Sequence, residues 1–351
     1  MDTLRNLFDD FYDLVKPAVF RRTEEDPKKA HELFRRFCGV LSFTHLEKLV
    51  LDNKSNLVPP PFELSNAAGL NKDGKFHPKV LRYLGFDRVV VGTVTNNPWD
   101  GNPRPTVRRY SETESMVNWE GLPGIGAERV AEKLESYGDH GIPITINFMA
   151  TPKKQGDELL RDLEGTVRRT RDLPYVDRYE PNISCPNTHS GSGGNDTRDG
   201  NLRMLDSMLL VICQEVYREQ DIYLKISPDS TQADVNDTVD IMRNHRVRGF
   251  TTTNTTTNHD RRYIPVSPQV DGRQVGGASG NAVYEHSLSI QKLYEERRKE
   301  IGANWKLIAV GGINSLGRVR ERLEAGASGI QLYTPLVFSG PRFLRELRRY
   351  R

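Results

Sequence analysis

From residue 62 onward the sequence alternates short β-rich runs with amphipathic stretches of helical length. Strands that alternate with helices in this way pair in parallel, and eight is the number at which such a sheet closes. The chain is therefore predicted to be an α/β protein built on a (β/α)8 TIM barrel. The eight expected strands lie near 62–66, 88–93, 143–147, 176–184, 222–226, 248–254, 306–310 and 328–333.

The chain is predicted to divide into two parts. Residues 1–57 form a small helical extension and residues 58–351 form the barrel, with the polar, proline-rich stretch 53–61 as a linker. No apolar run approaches the length of about 20 residues that a transmembrane helix needs. Acidic residues interrupt the apolar positions near the N-terminus, so no signal peptide is expected. We expect a cytoplasmic protein that could rest peripherally on the inner face of the cell membrane through residues 1–50.

Three helices are predicted in the extension. Apolar residues recur at helical spacing between Leu4 and Val15. A second helix should be capped by Asp26, carry Pro27 in its first turn and stop at Gly39. A third, short helix is expected around 43–50.

Charge and cysteine content exclude several classes of protein. The 351 residues include 50 Lys and Arg against 47 Asp and Glu, a net charge of +3. This balance gives no electrostatic case for nucleic acid as the main partner. The three cysteines, Cys38, Cys185 and Cys213, lack the CxxC spacing of zinc sites. We expect no metal, no disulfide framework and a reducing compartment.

Active sites of (β/α)8 barrels lie at the C-terminal ends of the strands. Here every predicted strand finishes in an amide, a hydroxyl, a lysine or a glycine. Asparagine and glycine also terminate strands well, so any one position could be structural. Eight polar strand ends together favour a binding site. The residues at these ends are Asn66, Ala67, Ala68, Gly69, Gly92, Thr93, Asn147, Asn182, Lys225, Asn254, Thr255, Gly311, Gly312, Tyr333 and Thr334.

The last two strand ends indicate a phosphate site. Gly311 and Gly312 follow the seventh strand, and Tyr333 and Thr334 close the eighth. Barrels of this kind commonly bind a phosphate there on backbone N–H groups. Ser279 and Gly280, in the preceding loop, could add donors.

Lys225 stands inside an otherwise apolar strand, IYLKI. Barrel strands are covered on both faces, and a buried lysine is costly unless it is paired. Beneath a bound cofactor ring, its cation would stabilise an anionic reduced form of that ring. The alternative is a lysine on an exposed pleat of the strand.

Seven segments, taken together, resemble the successive signatures of the dihydroorotate dehydrogenase family. They occur in the family's order and span the whole barrel. This resemblance implies FMN as cofactor, dihydroorotate as substrate and orotate as product. The segments are NAAGLNKDG at 66–74, GNPRP at 101–105, NISCPNT at 182–188, LKISPD at 224–229, TTNTT at 252–256, AVGGI at 309–313 and QLYT at 331–334.

The resemblance also implies roles for single residues. Cys185 occupies the position of the base that removes the C5 proton of dihydroorotate while hydride leaves C6 for the flavin. Lys72 would neutralise the carboxylate of orotate, and amide side chains suit a ring edged with both donors and acceptors. The implied orotate contacts are Lys72, Asn118, Asn182, Asn187, Asn254 and Thr255. The implied FMN contacts are Ala67, Ala68, Gly69, Thr93, Asn147, Asn182, Lys225, Thr253, Ser279, Gly280, Gly311, Gly312, Tyr333 and Thr334.

The motifs point in two directions for the electron acceptor. DPKKAHELF at 26–34 resembles the helical entrance of the membrane-associated, quinone-reducing class, in which two helices form an apolar tunnel to the flavin. Alternatively, the extension only caps the barrel. Cys185 and the GLP loop within 118–126 resemble the soluble class, which uses fumarate or NAD. The glycine-rich loop 189–200 also departs from the quinone-reducing class, because it is longer and richer in glycine than that class leads us to expect. Quinone is the predicted acceptor.

Two other functions stay open as alternatives. A related flavin barrel could act on another pyrimidine or on transfer RNA, although transfer RNA would require a basic RNA-binding module. A barrel that only binds a nucleotide is the second alternative. The joint presence of Lys72, Cys185 and Lys225 argues against it.

Overall fold

The computed structural model describes residues 2–43, 61–183 and 198–350. The strands in these ranges are β1 (Glu63–Asn66), β2 (Val89–Val94), β3 (Val107–Tyr110), β4 (Ser115–Asn118), β5 (Ile144–Phe148), β6 (Val176–Pro181), β7 (Asp221–Ile226), β8 (Val247–Thr252), β9 (Gln269–Val270), β10 (Arg273–Gln274), β11 (Gly277–Gly280), β12 (Lys306–Val310) and β13 (Ala327–Leu332). The α-helices are α1 (Asp2–Arg22), α2 (Lys28–Phe43), α3 (Pro78–Leu84), α4 (Ala127–Ser136), α5 (Gly156–Thr170), α6 (Arg198–Glu215), α7 (Gln232–Met242), α8 (Tyr284–Glu300), α9 (Leu316–Glu324), α10 (Thr334–Ser339) and α11 (Pro341–Arg349).

Eight parallel strands form the barrel. Their hydrogen-bonded order is β1-β13-β12-β8-β7-β6-β5-β2, and a parallel bridge between Ser65 and Arg88 brings β2 back to β1. The sheet therefore closes on itself with helices around it. The predicted (β/α)8 barrel is confirmed, as are all eight predicted strands, with small shifts at their ends.

Strand β2 shows why these runs become central strands. Every residue from Val89 to Val94 is buried, because one face of the strand lines the barrel and the other packs against helices. An apolar run without alternation is the sequence pattern of such a strand. Around it, helices bury one stripe each: α4 buries Ala127, Val130, Ala131 and Leu134, at helical spacing.

The N-terminal helix α1 packs on the last segments of the barrel. The Tyr12 hydroxyl donates to the carbonyl of Val337 at 2.8 Å, and Lys16 Nζ donates to the carbonyl of Phe338 at 2.8 Å. An added Cβ at Gly340 would lie 2.6 Å from the Tyr12 ring. The extension is thus fitted closely to the turn between α10 and α11.

The second helix differs from its prediction at both ends. Pro27 precedes it, and Asp26 contributes its backbone carbonyl, which accepts from the Lys29 N–H at 3.1 Å. The Asp26 carboxylate pairs with Arg104 instead, at 3.4 Å. Gly39 does not stop the helix, which continues to Phe43; one interior glycine costs only about 1 kcal/mol. Apart from Phe43, which ends α2, the predicted helix at 43–50 lies outside the described residues, as does most of the linker 53–61.

A small antiparallel sheet was not foreseen from the sequence. Strands β3, β4 and β11 pair over the barrel mouth, with Asn118 opposite Gly277 and Met116 opposite Ser279. It joins the loop after β2 to the loop after β8. In the described part of the chain, no helix is both long and apolar enough to cross a membrane.

Candidate functional site

A cavity of about 910 Å³ connects the N-terminal helices with the C-terminal ends of the barrel strands. On the side of the extension its walls include Val15, Val19, Phe20 and Phe34. On the barrel side the walls contain most of the residues predicted from the sequence to bind ligands. These are Ala67, Ala68, Gly69, Lys72, Thr93, Asn118, Asn182, Lys225, Thr253, Asn254, Thr255, Ser279, Gly280, Gly311, Gly312, Tyr333 and Thr334.

The polar strand ends are linked by hydrogen bonds across the barrel mouth. Thr93 Oγ1 donates to Asn147 Oδ1 at 2.6 Å, and Asn182 Nδ2 donates to Thr93 Oγ1 at 3.3 Å. Asn254 Nδ2 in turn donates to Asn182 Oδ1 at 3.0 Å, and its own Oδ1 accepts from the Thr255 N–H at 2.9 Å. Asn147 is buried behind Thr93 and does not line the cavity. These hydrogen bonds therefore orient the side-chain amides of Asn182 and Asn254 before any ligand binds.

Lys225 is buried, as the prediction for a flavin-site lysine required. Its Nζ lies 3.9 Å from Glu180 Oε1, and side-chain exposure is 6% for the lysine and 1% for the glutamate. Glu180 Oε1 also accepts from Asn147 Nδ2 at 2.8 Å, and Oε2 accepts from Gln331 Nε2 at 2.9 Å. Glu180 was not predicted from the sequence as part of the site. The available signal was its position, because an acidic residue within the predicted barrel strand 176–184 would be expected to be buried.

Glycines bring three strand-end segments into close approach. An added Cβ at Gly312 would lie 2.6 Å from the Gly280 carbonyl oxygen, and the φ angle of Gly312 is +67°. Beside them, Thr334 Oγ1 donates to Ser279 Oγ at 3.1 Å. Side chains are excluded here, so backbone and hydroxyl groups form this part of the wall, as a bound phosphate requires.

Lys72 does not stand alone in the cavity. Its Nζ lies 3.2 Å from Glu120 Oε2, while Lys28 Nζ from helix α2 lies 2.6 Å from Glu120 Oε1. Burial alone would raise the pKa of Glu120, but the two ammonium groups outweigh it and hold that pKa at about 2. Glu120 is therefore ionised at neutral pH, and Lys72 reaches the cavity as one arm of a three-residue cluster.

Two further cavity residues are not among the site residues predicted from the sequence. His31 lies parallel to the Tyr333 ring at 6.4 Å and edge-on to Phe76 at 5.7 Å. Burial, the largest effect, lowers the pKa of His31 to about 4, so its ring is neutral at pH 7. His31 also falls in the apolar face of a helix, where a packing role is the ordinary interpretation.

Arg109 is the other cavity residue that was not predicted as part of the site. It donates to the Phe20 carbonyl at 3.0 Å and to Thr23 Oγ1 at 2.8 Å, which fixes it against α1. Its Nη1 is buried and has no hydrogen-bond partner among the described residues. Burial lowers the pKa of Arg109. A buried donor without a partner at a cavity wall marks a place where a ligand oxygen could bind.

Several predicted residues lie outside the described ranges. They are Cys185, Asn187 and all but the end of the glycine-rich loop 189–200. The end of that loop is helical, because α6 begins at Arg198. Asn182, which precedes Cys185 in the motif, borders the cavity.

Comparisons with a family model and with individual relatives point to the same family. The family model described as dihydroorotate dehydrogenase matches residues 59–349. A relative from Natronomonas pharaonis named dihydroorotate dehydrogenase (quinone) is 31% identical over 349 residues, covering 96% of this chain and 93% of its own. A protein of the same name from Cronobacter sakazakii is 31% identical over 350 residues, covering 96% and 98%.

Solved structures agree at the level of the fold. The crystal structure of DHODH from Eimeria tenella in complex with ferulenol superposes with a TM-score of 0.76 at 20% identity, covering 95% of this chain and 93% of that one. The ligand-free structure from the same organism gives a TM-score of 0.71 at 21% identity, covering 92% and 93%. The extension as well as the barrel therefore falls within the shared architecture.

Proposed function

This chain belongs to the dihydroorotate dehydrogenase family, and from that premise we propose that it oxidises dihydroorotate to orotate and passes the electrons to a quinone. This is a step of de novo pyrimidine biosynthesis. The observation that carries the proposal is the continuous cavity, which joins the amide cluster at the strand ends to the apolar helices of the extension. A substrate and an electron acceptor could thus reach one cofactor from two sides.

We propose FMN as the cofactor, and the residues present fit it. The glycine cradle of Gly280, Gly311 and Gly312, with the Ser279 and Thr334 hydroxyls, would hold its phosphate. Lys225 would lie near the ring, as would Thr93, which Asn147 orients. The remaining contacts would come from Ala67, Ala68, Gly69, Asn182, Thr253 and Tyr333 at the cavity wall. When bound, FMN supplies a two-electron acceptor that can be reoxidised by a quinone.

The chain's own groups would bind the substrate and move its proton. Asn118, Asn182, Asn254 and Thr255 would read the donors and acceptors of the pyrimidine ring, with Asn187 as a further amide. Lys72 would meet the carboxylate. Cys185 would take the proton from C5; a thiol with a pKa of about 8.5 needs only modest lowering to serve as a base near neutral pH.

The extension would admit the quinone. Apolar side chains of α1 and α2 line that side of the cavity, and Arg109 Nη1 offers a donor to a quinone carbonyl oxygen. Leu14 and Leu33, which are 77% and 54% exposed, are exposed apolar groups on the same two helices, and Leu33 also borders the cavity. We propose that these helices rest peripherally on the inner face of the cell membrane, where quinones are dissolved.

An acceptor panel tests the proposal. The purified protein is expected to carry about one FMN per chain and to bleach when mixed anaerobically with dihydroorotate. Turnover is then measured with ubiquinone, menaquinone, fumarate and NAD, and a quinone should give the highest kcat/KM. Faster turnover with fumarate or NAD would overturn the choice of acceptor, in favour of the soluble class. No bleaching by dihydroorotate would overturn the substrate, and another pyrimidine would then be tested.

A further inference from the structure

The cluster Lys28–Glu120–Lys72 joins the extension to the substrate side of the cavity. Lys28 begins helix α2, Glu120 follows strand β4 by two residues, and Lys72 lies in the loop after β1. Their side chains are only 28%, 20% and 17% exposed. Ion pairs at such partly buried positions are screened less than pairs on the open surface.

The charges in this cluster do not balance. Two ammonium groups face one carboxylate, and Glu120 stays ionised. The cluster therefore carries a net charge of +1, counted as 2 − 1, toward the cavity. A single carboxylate brought by a ligand would neutralise it.

We propose that Lys28 is a positioning residue for the dihydroorotate site. By pairing with Glu120 Oε1 it keeps that carboxylate from neutralising Lys72, so that Lys72 stays available to the carboxylate of the substrate. The extension thereby contributes to binding of dihydroorotate as well as forming the wall on the acceptor side. This inference rests on the proposed function, in which Lys72 meets the substrate carboxylate.

The geometry favours this arrangement over a purely structural ion pair. The Lys28 contact is the shorter of the two, 2.6 Å against 3.2 Å, so Glu120 leans toward the extension. Without Lys28, the carboxylate would keep Lys72 as its sole partner in the cluster. It would then compete directly with an incoming substrate carboxylate for the same ammonium group.

The test is a charge-exchange series in the flavin-loaded protein, with orotate binding measured by calorimetry. Lys28→Met should weaken orotate binding by about tenfold, the scale of one partly buried charge interaction. Lys28→Met combined with Glu120→Gln restores the net charge of +1 and should bring the dissociation constant back to within about threefold of wild type. Lys29→Met, which removes the same charge from an exposed neighbour on the same helix, should bind as wild type.

Steady-state kinetics separate this role from general destabilisation. In Lys28→Met the KM for dihydroorotate should rise in step with the orotate dissociation constant, while kcat and the KM for quinone should change by less than about twofold. If the double variant binds orotate no better than Lys28→Met, the two residues only hold the fold together and the inference is wrong. Unchanged orotate affinity in Lys28→Met also overturns it. Failure of the wild-type protein to bind orotate would instead overturn the proposed function.

Discussion

Glu180 Oε1 and Lys225 Nζ lie 3.9 Å apart inside the barrel, and both side chains are almost fully buried. Two buried charges of opposite sign depend on each other, because removing either one takes an ion pair away from a charge that is already shielded from water. Lys225 lines the cavity, whereas Glu180 belongs to the layer beneath it. The glutamate therefore supports a site that it does not itself line.

Replacing Glu180 with leucine should lower the free energy of unfolding by about 3–5 kcal/mol, the usual cost of removing one partner from a buried ion pair. The amides of Asn147 and Gln331 would lose an acceptor as well. Urea denaturation measures the change. Glu158→Leu, which removes the exposed pair with Lys154, is the control and should cost less than about 1 kcal/mol. Equal losses of unfolding free energy in Glu180→Leu and Glu158→Leu would contradict the mutual dependence of Glu180 and Lys225.

The stability of the protein should fall as the pH is lowered from about 6.5 to about 4, in part because of His31. Burial lowers the pKa of His31 in the folded state, so over this window the unfolded chain binds a proton that the folded chain does not. The stability contributed by the neutral ring is complete above pH 6.5 and is lost as the pH falls toward 4. His31→Phe should flatten this part of a stability-against-pH curve. An unchanged slope would show that other groups cause the acid sensitivity.

Gly340→Ala should impair quinone reduction more than flavin reduction by dihydroorotate. The new Cβ would lie 2.6 Å from the ring of Tyr12, so that ring or α1 itself must move, and Tyr12 lines the acceptor side of the cavity. Gly302→Ala is the matched control, since its φ of +62° is close to the +61° of Gly340 but nothing lies within 4 Å of the added atom. The KM for quinone should rise only in Gly340→Ala. Equal effects in both variants would indicate backbone strain alone.

Cys185→Ala should slow bleaching of the flavin by dihydroorotate by about 10²-fold or more, the scale of a lost general base. Cys185→Ser should keep more activity, with its optimum displaced to higher pH, because an alcohol is a weaker acid than a thiol. Stopped-flow spectroscopy measures both reactions. Reoxidation of chemically reduced flavin by quinone should be nearly unchanged in each variant. Bleaching of the alanine variant at the wild-type rate would mean that another group takes the C5 proton.

The barrel could be predicted because its signal is periodic and local. Buried parallel strands such as β2 are continuous apolar runs, and each is followed by an amphipathic helix, so order and number follow from the sequence. The strand-end residues could be predicted for the same reason, since a closed parallel barrel brings all the C-terminal ends to one rim. Thr93, Asn182 and Asn254 come from three different strands and lie within one hydrogen-bonded set.

Contacts between distant segments could not be predicted. Lys28 and Glu120 are far apart in sequence, and nothing in the local pattern around either residue indicates that their side chains meet. The small sheet was missed because β3 and β4 are four-residue strands, too short for alternation to stand out. The end of α2 was placed too early because Gly39 is a stop signal only where no helical pattern continues beyond it.

The small sheet of β3, β4 and β11 has a consequence for how this barrel could diversify. Asn118, proposed for the substrate, and Ser279, proposed for the cofactor phosphate, stand on neighbouring strands joined by main-chain hydrogen bonds. Their spacing is therefore a property of the backbone ladder and does not depend on which side chains the two strands carry. Substitutions on β4 could change the preferred substrate ring without displacing the phosphate anchor on β11. With these two proposed roles, the sheet would separate recognition of the substrate from retention of the cofactor, which would make this rim a favourable starting point for directed evolution.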